Sequence, residues 1–188
     1  MILTDREIQI ALKHGAIEIV PAPGDQAYSS TSVDLTLDQA LSEFKDIAAG
    51  LETIVDPGSD GFNHENALSQ LLQSVQISDE GYIFRPGRLV LAWTKEYVKL
   101  LPHARLAARV EGKSSLARLG IAVHVTAPTI HAGFEGQIRL EMINHGRVPL
   151  KLRAGMRICQ LIFEQTLGTP DRGYVGRFSE QKATKKKG

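Results

Sequence analysis

Residues 82–166 run as a series of short apolar segments, "YIFRPGRLVLAWTKEYVKLL", "ARLAARVEG", "GIAVHVTAPTI", "GQIRLEMINHG" and "PLKLRAGMRICQLIFEQT". They are rich in β-branched residues and broken by Gly, Pro or Asn-His-Gly, so strands that start and stop quickly fit them better than long helices. That rhythm predicts an all-β barrel or sandwich with little helix.

Upstream, Thr4 is placed to cap a helix over "DREIQIALKHG", with Asp5 and Glu7 in its electropositive first turn and Gly15 at its end. "AIEIVPAPG" then alternates and stops at proline. "TSVDLTLDQALSEF" alternates Val33, Leu35 and Leu37 against Ser32, Asp34 and Thr36, as a half-buried strand does. Residues 46–80 contain turn chemistry, "DPGSDGF", and then "NHENALSQLLQSVQI", where Leu68, Leu71, Leu72 and Val75 stand at helical spacing; a variable loop followed by a short helix is expected. At 188 residues the chain fits one domain, 1–188, and shows no solenoid-like repeat.

Charge narrows the partners. Lys and Arg (22) nearly balance Asp and Glu (21), so a net charge of +1 gives no global pull toward nucleic acid or an anionic membrane. A polyanionic ligand must be held locally. The single cysteine, Cys159, lies in the apolar run "RICQLIF" and reads as a buried structural thiol; no disulfide framework is possible, which suits a cytoplasmic location. No secretory leader and no apolar run near the ~18 residues of a membrane span is seen, so no membrane partner is expected. The terminal "KATKKKG" reads as a solvated basic tail.

"GKSSLARLG", residues 112–120, begins like the end of a P-loop, but position 107 is Ala where the first glycine belongs, and Gly120 stops any helix after about one turn. A P-loop is therefore rejected. Lys113 and Arg118 still supply cations, and Ser114 and Ser115 supply hydroxyls, which points to phosphate. Further on, Gly133 and Gly136 permit a tight turn before a strand on which Glu141 alternates with Leu140 and Met142. A carboxylate facing a barrel interior beside such groups would have a shifted pKa and could act as a general base.

The segment "EGKSSLARLGIAVHVTAPTIHAGFEGQIRLEMIN" resembles the core of the dCTP deaminases of the trimeric dUTPase superfamily. "SSTSVDLTL", "RPGRLVLAWTKEYVKLL" and "LRAGMRICQLIF" look like three further segments of that family, so the likeness spans most of the chain. It implies a mainly β fold, a distorted jelly-roll barrel of the dUTPase type with a short N-terminal helix and a few small ones. It also implies a homotrimer with sites at subunit boundaries. The implied activity is hydrolysis of dCTP to dUTP and ammonia, feeding dUMP and dTTP synthesis, without zinc. One cysteine and no H-x-E agree with the last point. The six histidines include no i, i+4 pair, so no protein metal site is expected.

By the same resemblance Glu141 activates the water, while Ser114, Arg118 and the carbonyl of Ala127 hold it, and Arg118 keeps the carboxylate ionised. Lys113, Ser114 and Ser115 grip the triphosphate. Residues of "VHVTAPTI", including Thr126 and Ile130, read the base, largely through main-chain groups, and His131 lies by the sugar. In the tail, residues 169–188, Tyr174, Arg177, Phe178 and Gln181 fold over the substrate. Mg²⁺ arrives on the triphosphate.

Three departures from the family pattern stand out: Lys113 for Arg, Phe178 for Tyr, and His131-Ala132 for Asp-Pro. The first keeps the charge but loses the planar fork. The third disfavours dUTP hydrolysis, because a neutral imidazole is a poorer base for the water that attacks phosphorus. His131 reads equally well as a turn residue packing on Phe134. His124 reads as a satisfied core histidine, and His103, after proline, as a solvent-facing one. Two alternatives stay open: a bifunctional enzyme that also cleaves dUTP or acts on a related cytidine nucleotide, and a non-catalytic trimeric nucleotide-binding protein.

Overall fold

A computed structural model describes residues 1–46, 54–174 and 181–183. The elements in chain order are α1 (Asp5–Lys13), β1 (Ile17–Val20), β2 (Tyr28–Ser29), β3 (Ser32–Phe44), α2 (His64–Leu71), β4 (Leu72–Gln76), β5 (Tyr82–Phe84) and β6 (Leu89–Leu100). They continue as β7 (Leu106–Gly112), α3 (Ser114–Ala117), β8 (Ile121–Ala122), β9 (Thr129–Ile130), β10 (Glu135–Asn144), β11 (Leu150–Leu152) and β12 (Arg157–Gln165). The mainly β architecture with a short N-terminal helix is as expected.

Helix α1 starts where the sequence places it: the Glu7 carboxylate accepts from the Thr4 backbone N–H at 3.2 Å and from the Thr4 hydroxyl. Gly15 ends it at φ +72°, in the left-handed region that glycine enters without strain. The helix packs Ile8 into the core.

One antiparallel sheet organises the rest, in the order β8-β10-β6-β3-β12-β7-β9. β3 is its spine. Its first half pairs with β12 and β2, and its second half with β6 and β4; the register with β6 shifts between Leu37 and Leu41, and the sheet curls there. Leu35, Leu37, Leu140, Met142, Leu161 and Phe163 point into the curl and are fully or almost fully buried. The β5–β11 ribbon adds Phe84 and Leu152 to the same core. Each such side chain contributes about 1.5–3 kcal/mol by leaving water. Cys159 is fully buried, and burial pushes its thiol pKa up, as befits an inert packing residue.

Two expectations change. The helical spacing through Val75 is only half helix: α2 stops at Leu71, and Leu72–Gln76 pairs with β3, from Phe44↔Leu72 to Ala40↔Gln76. No residue of α2 is buried, so packing gives no reason to extend it, while the free edge of β3 offers backbone partners. The second concerns β3, where Ser32 and Asp34 were expected on a solvated face. Both are buried, because the curled sheet and its turns cover that face too. Ser32 donates to Gln160 Oε1 at 2.7 Å, and Asp34 receives two cations.

Candidate active site

The cation-hydroxyl turn follows directly from β7. The strand ends at Gly112, Lys113 turns the chain, and Ser114–Ala117 makes one helical turn that closes at Gly120 (φ +97°). A Cβ at Gly120 would lie 2.3 Å from the Gly146 nitrogen, so glycine is required by contact as well as by φ. Asn144, fully buried, fixes the facing turn: its Nδ2 donates to the Phe84 and Val148 carbonyls at 2.9 and 3.1 Å, and its Oδ1 accepts from Gly146 N–H at 2.9 Å. The turn therefore presents Ser114, Ser115 and Arg118 outward, all exposed.

Lys113 is not free. Its Nζ lies 2.5 Å from Asp34 Oδ1, and Arg157 Nη1 lies 3.4 Å from Asp34 Oδ2 while also donating to the Gln26 carbonyl at 2.8 Å. Asp34's side chain is only 3% exposed. An ammonium has three donors, so Lys113 keeps two beyond this tether. Sequence reasoning missed Asp34 and Arg157: neither belongs to the Ser-Ser segment, and their meeting depends on β3–β12 pairing.

Glu141 stands on the opposite arm of the sheet, on β10, facing Leu91 of β6 across the ladder. Alternation along β10 sends Ile138, Leu140 and Met142 inward and leaves Arg139 and Glu141 half-buried on the outer face. Burial pushes the Glu141 pKa up, opposed by the Val125 and Glu141 backbone N–H groups and by the nearby positive fields of His124 and Arg139. β8 brings this segment there, since Ile121 and Ala122 pair with Asn144 and Ile143 and the chain then bends alongside β10. Arg118 is not among the charges that act on Glu141, and its side chain makes no hydrogen bond or ion pair with a described residue. Thr126 and Ala127 are exposed. Ile130 is in the core, held by β9 pairing with Ala108 of β7.

His124 corrects an expectation. It is half-buried, yet its Nδ1 is buried with no hydrogen-bond partner among the described residues, so it is not a satisfied core histidine. His124 lies outside any strand, two residues past the end of β8 in a stretch of bends. His103 is exposed, as expected.

A third group lies at the far end of β10. The His131 ring stacks on Tyr174, with centroids 5.4 Å apart and planes at 19°, and Tyr174 also meets Phe134 at 6.4 Å. Tyr174 N–H donates to the Ala132 carbonyl at 2.9 Å; at Gly133 (φ +86°) a Cβ would sit 2.7 Å from the Tyr174 nitrogen. His131, Ala132, Thr166, Pro170, Arg172 and Tyr174 line an open cleft of about 710 Å³. Gln181 is fixed beside the start of β10, where Gln137 N–H donates to its carbonyl at 2.9 Å. Arg177 and Phe178 lie outside the described residues. Gln181 bridges Gly136, and along a strand Gly136 and Glu141 are about 17 Å apart.

The structure thus holds a half-buried carboxylate on a curled antiparallel sheet, with an exposed cation-hydroxyl turn and an aromatic cleft at separate places. The same fold is found in the crystal structure of 2'-deoxycytidine 5'-triphosphate deaminase from Agrobacterium tumefaciens: TM-score 0.66 and 23% identity over 87% of this chain and 48% of that one, so this chain spans about half its length. Sequence carries the comparison further. The family model described as dCTP deaminase-like matches residues 2–166. The "dCTP deaminase, dUMP-forming" of Methanobrevibacter smithii is 39% identical over 170 residues, 90% of this chain and 82% of that protein. The dCTP deaminase of Shewanella frigidimarina is 40% identical over 183 residues, 96% of this chain and 92% of that one. The chain belongs to the dCTP deaminase-like family.

Proposed function

We propose that this protein hydrolyses the 4-amino group of dCTP, giving dUTP and ammonia, with Glu141 as the general base. The observation that carries the reading is the half-buried Glu141 whose pKa burial raises, on an otherwise regular alternating strand. A carboxylate whose proton affinity is raised in this way accepts a proton from water more readily than a free one. Glu141 takes a proton from water as its oxygen bonds to C4, and that proton passes to N3. A second proton, from the added oxygen, goes to the amine, the C4–N4 bond breaks, and ammonia leaves as the C4 carbonyl forms.

Ser114, Arg118 and the Ala127 carbonyl hold the water in this reading, and Lys113, Ser114 and Ser115 take the triphosphate, which enters as its Mg²⁺ complex. In one chain the exposed Arg118 and Ser114 make no bond to Glu141, which supports sites closed between subunits of a homotrimer. The tail, with Tyr174 and Gln181, completes the enclosure. The protein would work in the cytoplasm.

The Methanobrevibacter relative is a dUMP-forming dCTP deaminase, and the second product pattern open to this chain is dUMP with release of pyrophosphate. Here His131 replaces the family's Asp, and its ring is stacked on Tyr174, which favours the dUTP-forming reading. Incubation with dCTP and Mg²⁺, followed by separation of products, tests both. Accumulating dUTP with ammonia supports the proposal; dUMP with pyrophosphate replaces it with the second reading, and binding without product overturns both.

A further inference from the structure

Two side-chain nitrogens among the described residues are buried without a hydrogen-bond partner, His124 Nδ1 and Arg139 Nε. Both residues flank Glu141, and both contribute a favourable field to its carboxylate. Arg139 stands two residues before Glu141 on the same face of β10, so the side chains emerge about 7 Å apart. The β10–β6 register sets Arg139 against Trp93, and the guanidinium carbon lies 4.7 Å from the Trp93 ring centroid. Trp93 is itself only 7% exposed, so this cation is held against an apolar wall rather than in water.

A half-buried cation with no carboxylate bonded to it among the described residues favours a counterion nearby, and Glu141 favours the same. We propose that Arg139, clamped on Trp93, is a positioning residue for the reaction, the countercharge that keeps Glu141 ionised and in place before substrate enters. The inference rests on Glu141 being the base. It reassigns within one chain the task that the family resemblance gives to Arg118. Among the described residues, the groups facing Glu141 from neighbouring elements are His124 and the Val125 N–H from the segment after β8 and uncharged Leu91 from β6. Arg139 is thus the fixed positive charge of the set, because a guanidinium stays protonated where an imidazole titrates.

The test uses the full chain with Arg139→Gln and Arg139→Lys. kcat and KM for dCTP are followed across the acid range, together with thermal melting and solution mass. Arg139→Gln should move the acid limb of kcat/KM upward, with a loss of about threefold below the limb, and should approach the wild-type rate at alkaline pH. KM should change little, and Arg139→Lys should recover most of the shift. A uniform loss at every pH with the limb unmoved would make Arg139 structural. A changed solution mass with an unmoved limb would make it a subunit contact. Either result, or an unchanged profile, overturns the inference while leaving Glu141 as the base. If neither variant folds, Trp93→Phe must shift the limb in the same direction, and a fixed limb then refutes the proposal. An inert wild type would instead remove the underlying function.

Discussion

Asp34 and Glu141 are two carboxylates on strands of one sheet, and their surroundings differ in an instructive way. Asp34 is the more deeply buried, yet Lys113 at 2.5 Å and Arg157 at 3.4 Å bond both of its oxygens. Glu141 is less buried, but no cation among the described residues bonds it, and its pKa is pushed up. Depth of burial alone therefore does not decide which carboxylate is bonded by cations and which is left to fields and backbone amides. A carboxylate completed by its own chain is a post; one left to fields and backbone amides keeps the proton affinity a base needs.

That contrast can be broken at either end. The largest effect is expected for Glu141→Gln, which keeps the shape and removes the proton acceptor: kcat should fall by about 10³-fold with dCTP binding retained, as measured by steady-state kinetics and calorimetry. A variant turning over at the wild-type rate would make Glu141 another post. Asp34→Ala should act mainly on stability. It strands two cations, but Lys113 and Arg157 keep part of their water, so the loss should be about 1–2 kcal/mol by denaturant melts. An unchanged melt would show that Asp34 does not hold the turn.

The turn itself should divide by side chain. Arg118→Ala should chiefly lower kcat, whereas Ser115→Ala, which removes one exposed hydroxyl, should raise KM for dCTP by about tenfold or less. The reverse split would reassign the phosphate grip and the water-holding group.

Much of this was legible in the residues. The ends of α1 and α3 follow from Thr4, Gly15 and Gly120, and the inward-outward alternation of β10 puts Glu141 on its face before any coordinates are known. What escaped has a common cause. Period-two alternation assigns faces but cannot tell whether a face is covered, so buried Asp34 read as solvated. Helical spacing over Leu68–Val75 could not register that β3 has an edge waiting for Leu72–Gln76. Arg139 shares a face with Glu141 on any reading of the strand, but its partner Trp93 depends on a register between distant segments that no local pattern encodes.

The central claim is that Glu141 works as a base whose proton affinity burial has raised. The pH dependence of wild-type kcat/KM for dCTP tests it most directly. Only ionised Glu141 can take the proton, so the rate should fall as pH drops through an acid limb whose midpoint lies above the ordinary glutamate value of 4.5. A limb at or below that value, or one that persists in the residual activity of Glu141→Gln, would contradict the account.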